Sequence, residues 1–390
     1  MDDLSEKRKD SKGRVLRTGE SERKNGLYQY RYEDVNGKRQ TIYDRDLNEL
    51  RKKEKEIQKQ LEEGVSFFDG CTPLCDVLDR AYSLKCKWRA STRETMMRYL
   101  CLIKPSKLYN MPVNRIRMSD CKQFLIDLHN EGKAFGTINS IHTVLKMAFQ
   151  LAYEENALMR NPCDFSLKSI IDDDTPDVQA LTQIQQESLW KFLREDTIGK
   201  RHLDMFVMLA GTGMRISEFA ALTIQDIDFA RNVIHVDKQI VRLVGRLIIT
   251  KPKSKKGVRD IPMTQEVRQS AMNLLRKRQE NKLDVMIDGY VGFLSVTRNG
   301  RPRTHSEYAD VMRKLMAHYN EVSAVKIERC TPHVLRHTFC TKCVATGMDV
   351  KSAQYLMGHA DAAMTLNIYT DNVMDKVHQS MELLENVAIH

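Results

Sequence analysis

The chain has 390 residues, of which 42% are hydrophobic and 29% are charged, and its formal net charge at pH 7 is +10. This length exceeds what one hydrophobic core usually organises, so two or three domains are expected. No apolar run approaches the roughly 20 residues that a membrane-spanning helix requires, which argues against a membrane protein. The positive charge suits a polyanionic partner but does not distinguish DNA, RNA and an acidic membrane surface.

The N-terminal sequence and the cysteines indicate a cytoplasmic protein. The first residues, MDDLSEKRKDSKGR, are charged and lack the apolar segment of a secretory signal. The nine cysteines are scattered rather than arranged in a framework, so we expect reduced thiols, most of them small core residues.

Residues 1–65 are expected to form a small domain of a β-hairpin and one helix. In the segment 27–43, tyrosines alternate with polar residues, and an Asn-Gly pair at 36–37 favours a type I′ turn. A helical stripe follows and stops at Gly64. The many Lys and Arg side chains of this domain could contact phosphates or could simply keep it soluble.

Residues 70–165 are expected to form an all-helical domain. Proline and glycine residues separate its helical segments. The predicted helices lie near 72–86, 91–103, 118–131 and 135–156. An acidic stretch with a proline, IIDDDTPD, predicts a linker over 166–180.

Residues 181–380 are expected to form a mixed α/β domain, mainly α with a small antiparallel sheet, followed by a short tail at 381–390. The segment opens with helical patterns and later returns to them. Between these lie four short strand candidates, NVIHV, QIVRL, LIIT and VRDIPM, with the basic turn KPKSKKG before the last one.

Two motifs of this domain place arginines at helix starts. In GTGMRISEF, two glycines break the preceding apolar helix and Arg215 begins the next one, beside backbone N–H groups that favour an anion. In TPHVLRHTF, Thr331 is a predicted N-cap, and His333 and Arg336 fall three residues apart on one helical face. A guanidinium fork and an imidazole together suit a phosphodiester, although Arg215 alone could be an ordinary surface residue.

The last motif is DVKSAQYLMGHADAAMTLNIYTDN. It predicts a short helix over 349–357 that stops at Gly358, then His359, and then Tyr369 on a further short helix. Taken alone, Tyr369 would be interpreted as a packing residue.

The segments RISE, KSKKG, HVLRHTF, LMGHA and TLNIY, in this order and spacing, resemble the tyrosine recombinase family. The resemblance covers residues 181–380. The helical domain and the N-terminal hairpin domain resemble, more weakly, the core-binding and arm-binding domains of integrases from phages and conjugative transposons. The resemblance implies a site-specific recombinase that integrates and excises a mobile element.

The resemblance also implies the roles of the site residues. Arg215 and Arg336 would bind the phosphate, His333 and His359 would be the active-site histidines, and Tyr369 would be the nucleophile. Tyr369 would form a 3′-phosphotyrosine, which conserves the energy of the broken strand, so neither ATP nor a metal ion or other cofactor is expected.

Two further residues complete the implied site. The family's β-hairpin lysine matches Lys255, which would act as general acid, but the segment 251–256 holds four lysines and a shift by one or two residues would change this assignment. Glu218 occupies the family's acidic position after the first arginine, where it would orient other groups.

The resemblance further implies double-stranded DNA as partner, with core-type and arm-type sites, and a homotetramer on DNA in a bacterial cytoplasm, associated with the nucleoid when it acts. Excisionase and DNA-bending proteins are possible accessory factors. An apolar stripe after Tyr369, with residues such as Val377 and Leu384, could dock on a neighbouring protomer or pack on its own chain. The sequence does not reveal the target site, the crossover length or the direction.

Three alternatives stay open at this point. His333, His337, Cys340 and Cys343 are spaced by three or four residues and could in principle bind zinc, although one helix rarely surrounds zinc with four ligands. The chain could be a DNA-binding regulator with an inactive recombinase-like domain. It could also be a type IB topoisomerase-like enzyme, which shares the chemistry but needs no pairing of two sites.

Overall fold

The structure, a computed structural model, describes residues 8–23, 25–33, 39–62, 71–176, 178–252, 254–359 and 366. The chain divides into two compact units, Met1–Thr175 and Pro176–His390. Within the described ranges, no helix is both long and apolar enough to cross a membrane.

The first unit begins with a small antiparallel sheet and a helix. These elements are β1 (Glu20–Glu22), β2 (Tyr28–Glu33), β3 (Arg39–Asp44) and α1 (Leu47–Glu62). Tyr28 and Tyr30 of β2 pack on Leu47 and Leu50 of α1 in a small buried core. The tyrosine alternation therefore builds one apolar face of the sheet.

The predicted hairpin is confirmed as the β2–β3 pair. Strand β1, which pairs with β2, was not predicted because its sequence, ESE, has no apolar alternation. The predicted Asn-Gly turn at 36–37 and the predicted helix stop at Gly64 lie outside the described residues.

The rest of the first unit is helical. Its helices are α2 (Leu74–Ser83), α3 (Ala90–Ile103), α4 (Met118–Asn130) and α5 (Phe135–Glu154). The four predicted helices are confirmed, with ends within three residues of the predicted ones. Helix α5 is the centre of the core, since its buried residues recur at spacings of three and four. Leu167 and Ile171, in the first part of the predicted linker, are also buried in this core.

The second unit is mainly helical with short strands in its middle. It begins with α6 (Gln183–Glu195), α7 (Leu203–Thr212) and α8 (Ile216–Phe219). The strands are β4 (Ile227–Asp228), β5 (Val233–Val236), β6 (Gln239–Leu243), β7 (Arg246–Thr250) and β8 (Arg259–Pro262). The helices that follow in the described ranges are α9 (Gln265–Glu280), α10 (His305–Val322), α11 (Pro332–Ala345) and α12 (Val350–Met357).

The strands form two antiparallel groups rather than the single predicted sheet. One sheet has the order β4-β5-β8, and β6 pairs with β7 separately. The four predicted strands are all present, and the two-residue strand β4 was not predicted. Strand β8 therefore returns beside β5, not beside the hairpin that precedes it.

In the second unit, the ends of α7 and α12 lie close to the first part of α11. Helix α7 ends at Gly213, which has a left-handed backbone (φ 62°). Helix α11 starts at its N-cap Thr331, whose hydroxyl accepts a hydrogen bond from the Val334 amide, as predicted. Helix α12 ends at Gly358, also left-handed (φ 61°), which confirms the predicted stop.

Candidate active site

Arg215 stands at the N-cap of α8, two residues after the glycine that ends α7. Its backbone amide and its Nη1 donate to the carboxylate of Glu218, at 2.9 and 2.8 Å. Its Nη2 donates to the carbonyl oxygen of Gly358, at 3.1 Å. The guanidinium is thus held between α8 and the end of α12, with one third of the side chain exposed.

Arg336 lies on α11 and is buried, with 7% of its surface exposed. Its Nη1 donates to the carbonyl oxygen of Gly213 at 2.6 Å, and its Nη2 donates to that of Met357. Burial and the positive charge of Arg215 lower the pKa of Arg336. A guanidinium starts from so high a pKa that it stays charged at neutral pH.

The two histidines lie near these arginines. His333, on the exposed side of α11, has a lowered pKa because protein atoms displace water around it and Arg336 lies close. His359 is buried directly after Gly358, and its carbonyl accepts from the Gln354 amide at 3.2 Å. Burial and the neighbouring guanidinium groups lower the pKa of His359 to about 4. Both imidazoles are therefore neutral at pH 7 and can donate or accept a hydrogen bond.

Glu218 is the acidic group among these cations, and 1% of its surface is exposed. Burial alone would raise the pKa of its carboxyl group, but the charges of Arg259 and Arg215 outweigh burial and hold the pKa below its ordinary value. Glu218 is therefore ionised and orients its two arginine partners.

Arg259, the second partner of Glu218, was not identified from the sequence. It begins β8 and its side chain is fully buried, with Nη2 2.9 Å from a carboxylate oxygen of Glu218. The one signal in the sequence is the alternation of β8, which places Arg259 on the same inward face as Ile261. An arginine at such a position requires a buried partner, which only the fold supplies.

The charges of this site do not balance. Three guanidinium groups, those of Arg215, Arg259 and Arg336, surround a single described carboxylate, that of Glu218. Partly buried positive charge is costly unless an anion compensates it. The site therefore favours an anionic ligand, and its planar donors match the non-bridging oxygens of a phosphate group.

Comparison with known proteins identifies the family. The Phage integrase family model matches residues 179–376, and the model described as the DNA binding domain of tn916 integrase matches residues 4–61. The chain is 38% identical to the transposase from transposon Tn1545 of Streptococcus agalactiae, over 98% of this chain and 97% of that protein. The chain belongs to the phage integrase family. The tyrosine recombinase resemblance is thus confirmed, and the protein is an integrase, a site-specific DNA recombinase.

Further relatives agree with this membership. The integrase is 38% identical to the transposase from transposon Tn916 of Enterococcus faecalis, again over 98% of this chain and 97% of that protein. A solved structure of the Tn1549 transposon integrase in complex with a circular intermediate DNA matches it with a TM-score of 0.74 and 34% identity. That match covers 80% of this chain and 99% of the solved chain.

The structure brings together five of the seven site residues that the sequence predicted. These are Arg215, Glu218, His333, Arg336 and His359. The remaining two lie outside the described residues: Tyr369 entirely, and Lys255 for its side chain, while its backbone begins a 3-10 turn, Lys255–Gly257. The predicted apolar stripe of the C-terminal tail also lies outside the described residues.

The residues of the zinc alternative do not form a cluster. Cys340 and Cys343 are buried in α11. Among the described side chains, no three His, Cys, Asp or Glu residues group as a metal site would require.

Proposed function

We propose that this integrase integrates and excises a mobile element by cutting and rejoining DNA through a 3′-phosphotyrosine on Tyr369. The observation that carries this proposal is the surplus of guanidinium groups around Glu218, which suits a phosphodiester. Two fixed guanidinium forks, those of Arg215 and Arg336, would stabilise the charge that builds up on the non-bridging oxygens in the transition state.

Each bond and proton in the cleavage step has a proposed place. The Tyr369 oxygen attacks phosphorus, and the bond from phosphorus to the 5′ oxygen breaks. His333 assists removal of the tyrosine proton, and Lys255 donates a proton to the leaving 5′ oxygen. His359 hydrogen-bonds the phosphate as a neutral imidazole, in agreement with its lowered pKa. Attack by a 5′-hydroxyl on the phosphotyrosine reverses the step, so rejoining needs neither ATP nor a metal ion.

The three domains of the chain are proposed to divide the contacts with DNA among them. Residues 1–65 would bind arm-type sites, which the match of 4–61 to an integrase DNA-binding domain supports. Residues 70–165 would clamp the core-type site, and 181–380 would complete the clamp and catalyse exchange, joined by the linker 166–180. The reaction would take place in the cytoplasm, at the nucleoid.

The working form is proposed to be a homotetramer. Recombination of two duplexes requires two strand cleavages in each, and each protomer supplies one nucleophilic tyrosine. The tail after Tyr369 would dock on a neighbouring protomer, and deletion of 379–390 should then weaken assembly. Excisionase and DNA-bending proteins would set the direction.

A suicide substrate tests the chemistry. The substrate is a duplex nicked beside the scissile phosphate, selected from a random-sequence pool by covalent capture on the wild-type chain. In EDTA, the wild type and the control Tyr290→Phe should form an adduct that survives denaturation, and Tyr369→Phe should form none. An adduct with Tyr369→Phe, or one that requires Mg²⁺, would contradict the mechanism.

A plasmid assay separates the recombinase from the topoisomerase-like alternative. A plasmid with two selected sites should yield recombinant circles, and a plasmid with one site should not be relaxed at a comparable rate. Relaxation without recombinants would favour the topoisomerase. Binding with no covalent adduct at all would favour the inactive DNA-binding regulator.

A further inference from the structure

The carbonyl groups at the end of α12 each accept a hydrogen bond from a different arginine. Leu356 accepts from Arg259 Nε at 2.7 Å, Met357 accepts from Arg336, and Gly358 accepts from Arg215. The last carbonyls of a helix have no partner within the helix and carry its partial negative charge, so they attract cations. Three distant segments of the chain are thus joined at the residues that directly precede His359.

Arg259 makes two hydrogen bonds besides the one to the end of α12. Its Nη1 donates to the carbonyl of Gly257 at 3.0 Å, in the turn that begins at Lys255, and its Nη2 donates to Glu218 at 2.9 Å. The same carboxylate oxygen of Glu218 also accepts a hydrogen bond from the backbone amide of Arg215. The buried guanidinium of Arg259 therefore connects the turn Lys255–Gly257 (the lysine turn), the first arginine of the site, Arg215, and the end of α12.

The guanidinium of Arg259 packs closely against Gly358. A Cβ atom added to Gly358 would lie 2.8 Å from Nη1 and 3.1 Å from Cζ of Arg259. Gly358 thus combines a left-handed backbone with close approach to the guanidinium, and both requirements favour glycine. The side chain of Arg259 is itself fully buried, so it is not available to contact DNA directly.

We propose that Arg259 is a positioning residue for DNA cleavage, which fixes the lysine turn, the first arginine and the end of α12 relative to one another. This inference rests on the proposed function, because the groups that Arg259 aligns are those assigned to the reaction. Errors of about 1 Å in such groups lower rates by about 100-fold. Lysine cannot replace Arg259 fully, since one ammonium cannot reproduce a planar fork with three acceptors.

The first measurement separates binding from chemistry. Full-length Arg259→Gln should bind the selected duplex with the affinity of the wild type, and its single-turnover rate of covalent capture should fall by about 100-fold. Arg259→Lys should fall by about 10-fold, because it keeps the charge beside Glu218 but loses the bonds to the carbonyls. Arg259→Lys carries the test if Arg259→Gln does not fold.

The pH profile distinguishes positioning from a general loss of stability. Besides Arg259, the charged or titratable side chains that the structure describes near Glu218 are Arg215, Arg336 and His359. Without Arg259, burial should raise the pKa of Glu218. As pH falls, the capture rate of Arg259→Gln should therefore begin to decline at a higher pH than the capture rate of the wild type. Arg259→Lys should keep the wild-type profile, and Glu218→Gln added to Arg259→Gln should remove the decline.

Arg278 supplies a matched control. It is a buried arginine of the same unit that donates to the carbonyls of Phe293 and Asn281. Arg278→Gln should lose about as much stability as Arg259→Gln, but its capture rate should keep the pH profile of the wild type. A uniform loss of rate in Arg259→Gln with an unchanged pH profile, or an unchanged rate in both Arg259 variants, would overturn the proposal. Absence of any adduct with the wild type would instead contradict the proposed function.

Discussion

Arg336 donates a hydrogen bond of 2.6 Å to the carbonyl oxygen of Gly213, 123 residues earlier in the chain. Gly213 is the left-handed residue that ends α7, two residues before Arg215. The aromatic ring of Phe339, one turn after Arg336 on α11, lies against the α-carbon of Gly213. The two phosphate-binding arginines proposed here are therefore joined through one glycine turn.

Substitution of this glycine should strongly destabilise the second unit. A Cβ atom at Gly213 would lie 2.3 Å from the Phe339 ring, and the backbone there has φ 62°. Gly213→Ala should lower the free energy of unfolding by roughly 2–5 kcal/mol, from left-handed strain plus overpacking. Urea unfolding can be followed by the fluorescence of Trp190 in a Trp88→Phe background, since the chain has two tryptophans.

Gly245→Ala is the control, because Gly245 also has positive φ (79°) but open space around its α-carbon. Gly245→Ala should lower the free energy of unfolding only by the left-handed strain, about 1–2 kcal/mol. Equal losses in the two variants would show that contact with Phe339 is unimportant.

The sequence predicted the local elements of this region well. The glycine stops at Gly213 and Gly358, the Thr331 N-cap and the helical spacing on α11 are short-range signals, and each was confirmed in the described part of the chain. The other glycine expected to break α7, Gly211, lies inside that helix. The convergence of Arg215 with Arg336 could be inferred from family resemblance alone, because no local pattern encodes a contact across 120 residues.

Arg259 shows where sequence reasoning failed. In KKGVRDIP it is one of several basic residues near a turn, and most of these are solvated. Its burial depends on strand pairing with Val236 and on Glu218, which lies 41 residues earlier. Such tertiary partners override the polar character of a side chain.

A buried carboxylate pair in the first unit predicts a pH-dependent local stability. Glu20 and Glu54 are both buried, and Arg51 donates to both carboxylate oxygens of Glu20. Burial and the charge of Glu20 raise the pKa of Glu54, whose Oε2 has no hydrogen-bond donor among the described residues. A protonated Glu54 can donate to Glu20, so its stabilising contribution is present at low pH and is lost as pH rises through the folded-state pKa.

Glu54→Gln mimics the protonated form and should stabilise the N-terminal sheet at pH 8 by about 1 kcal/mol. Hydrogen exchange of β1 and α1, compared with the wild type at each pH, measures this difference. The gain should shrink at pH 4.5, where Glu54 is itself protonated. Glu49→Gln, at an exposed position of α1, should change exchange little at either pH, and a similar gain in that variant would contradict the explanation.

His359 predicts a second pH dependence with the opposite sign. Its folded-state pKa is lowered to about 4, whereas an unfolded histidine titrates near 6.5. Between these values the unfolded chain binds more protons, so the free energy of unfolding should decrease as pH falls from about 6.5 toward 4. His359→Gln, which cannot titrate, should show a shallower decrease in the Trp190 assay. An equal slope in both proteins would mean that the pKa of His359 is the same in the folded and unfolded chain.

The general acid can be identified with a modified leaving group. Removal of a general acid slows catalysis by about 10²–10⁴-fold, so Lys255→Ala should capture an ordinary nicked duplex slowly. With sulfur in place of the bridging 5′ oxygen, the leaving group is a thiolate that needs no proton, and capture by Lys255→Ala should recover. Arg215→Ala should stay slow on both substrates because it lacks charge stabilisation rather than a proton. Lys256→Ala should resemble the wild type, and selective recovery in a variant of Lys251, Lys253 or Lys256 would move the assignment to that lysine.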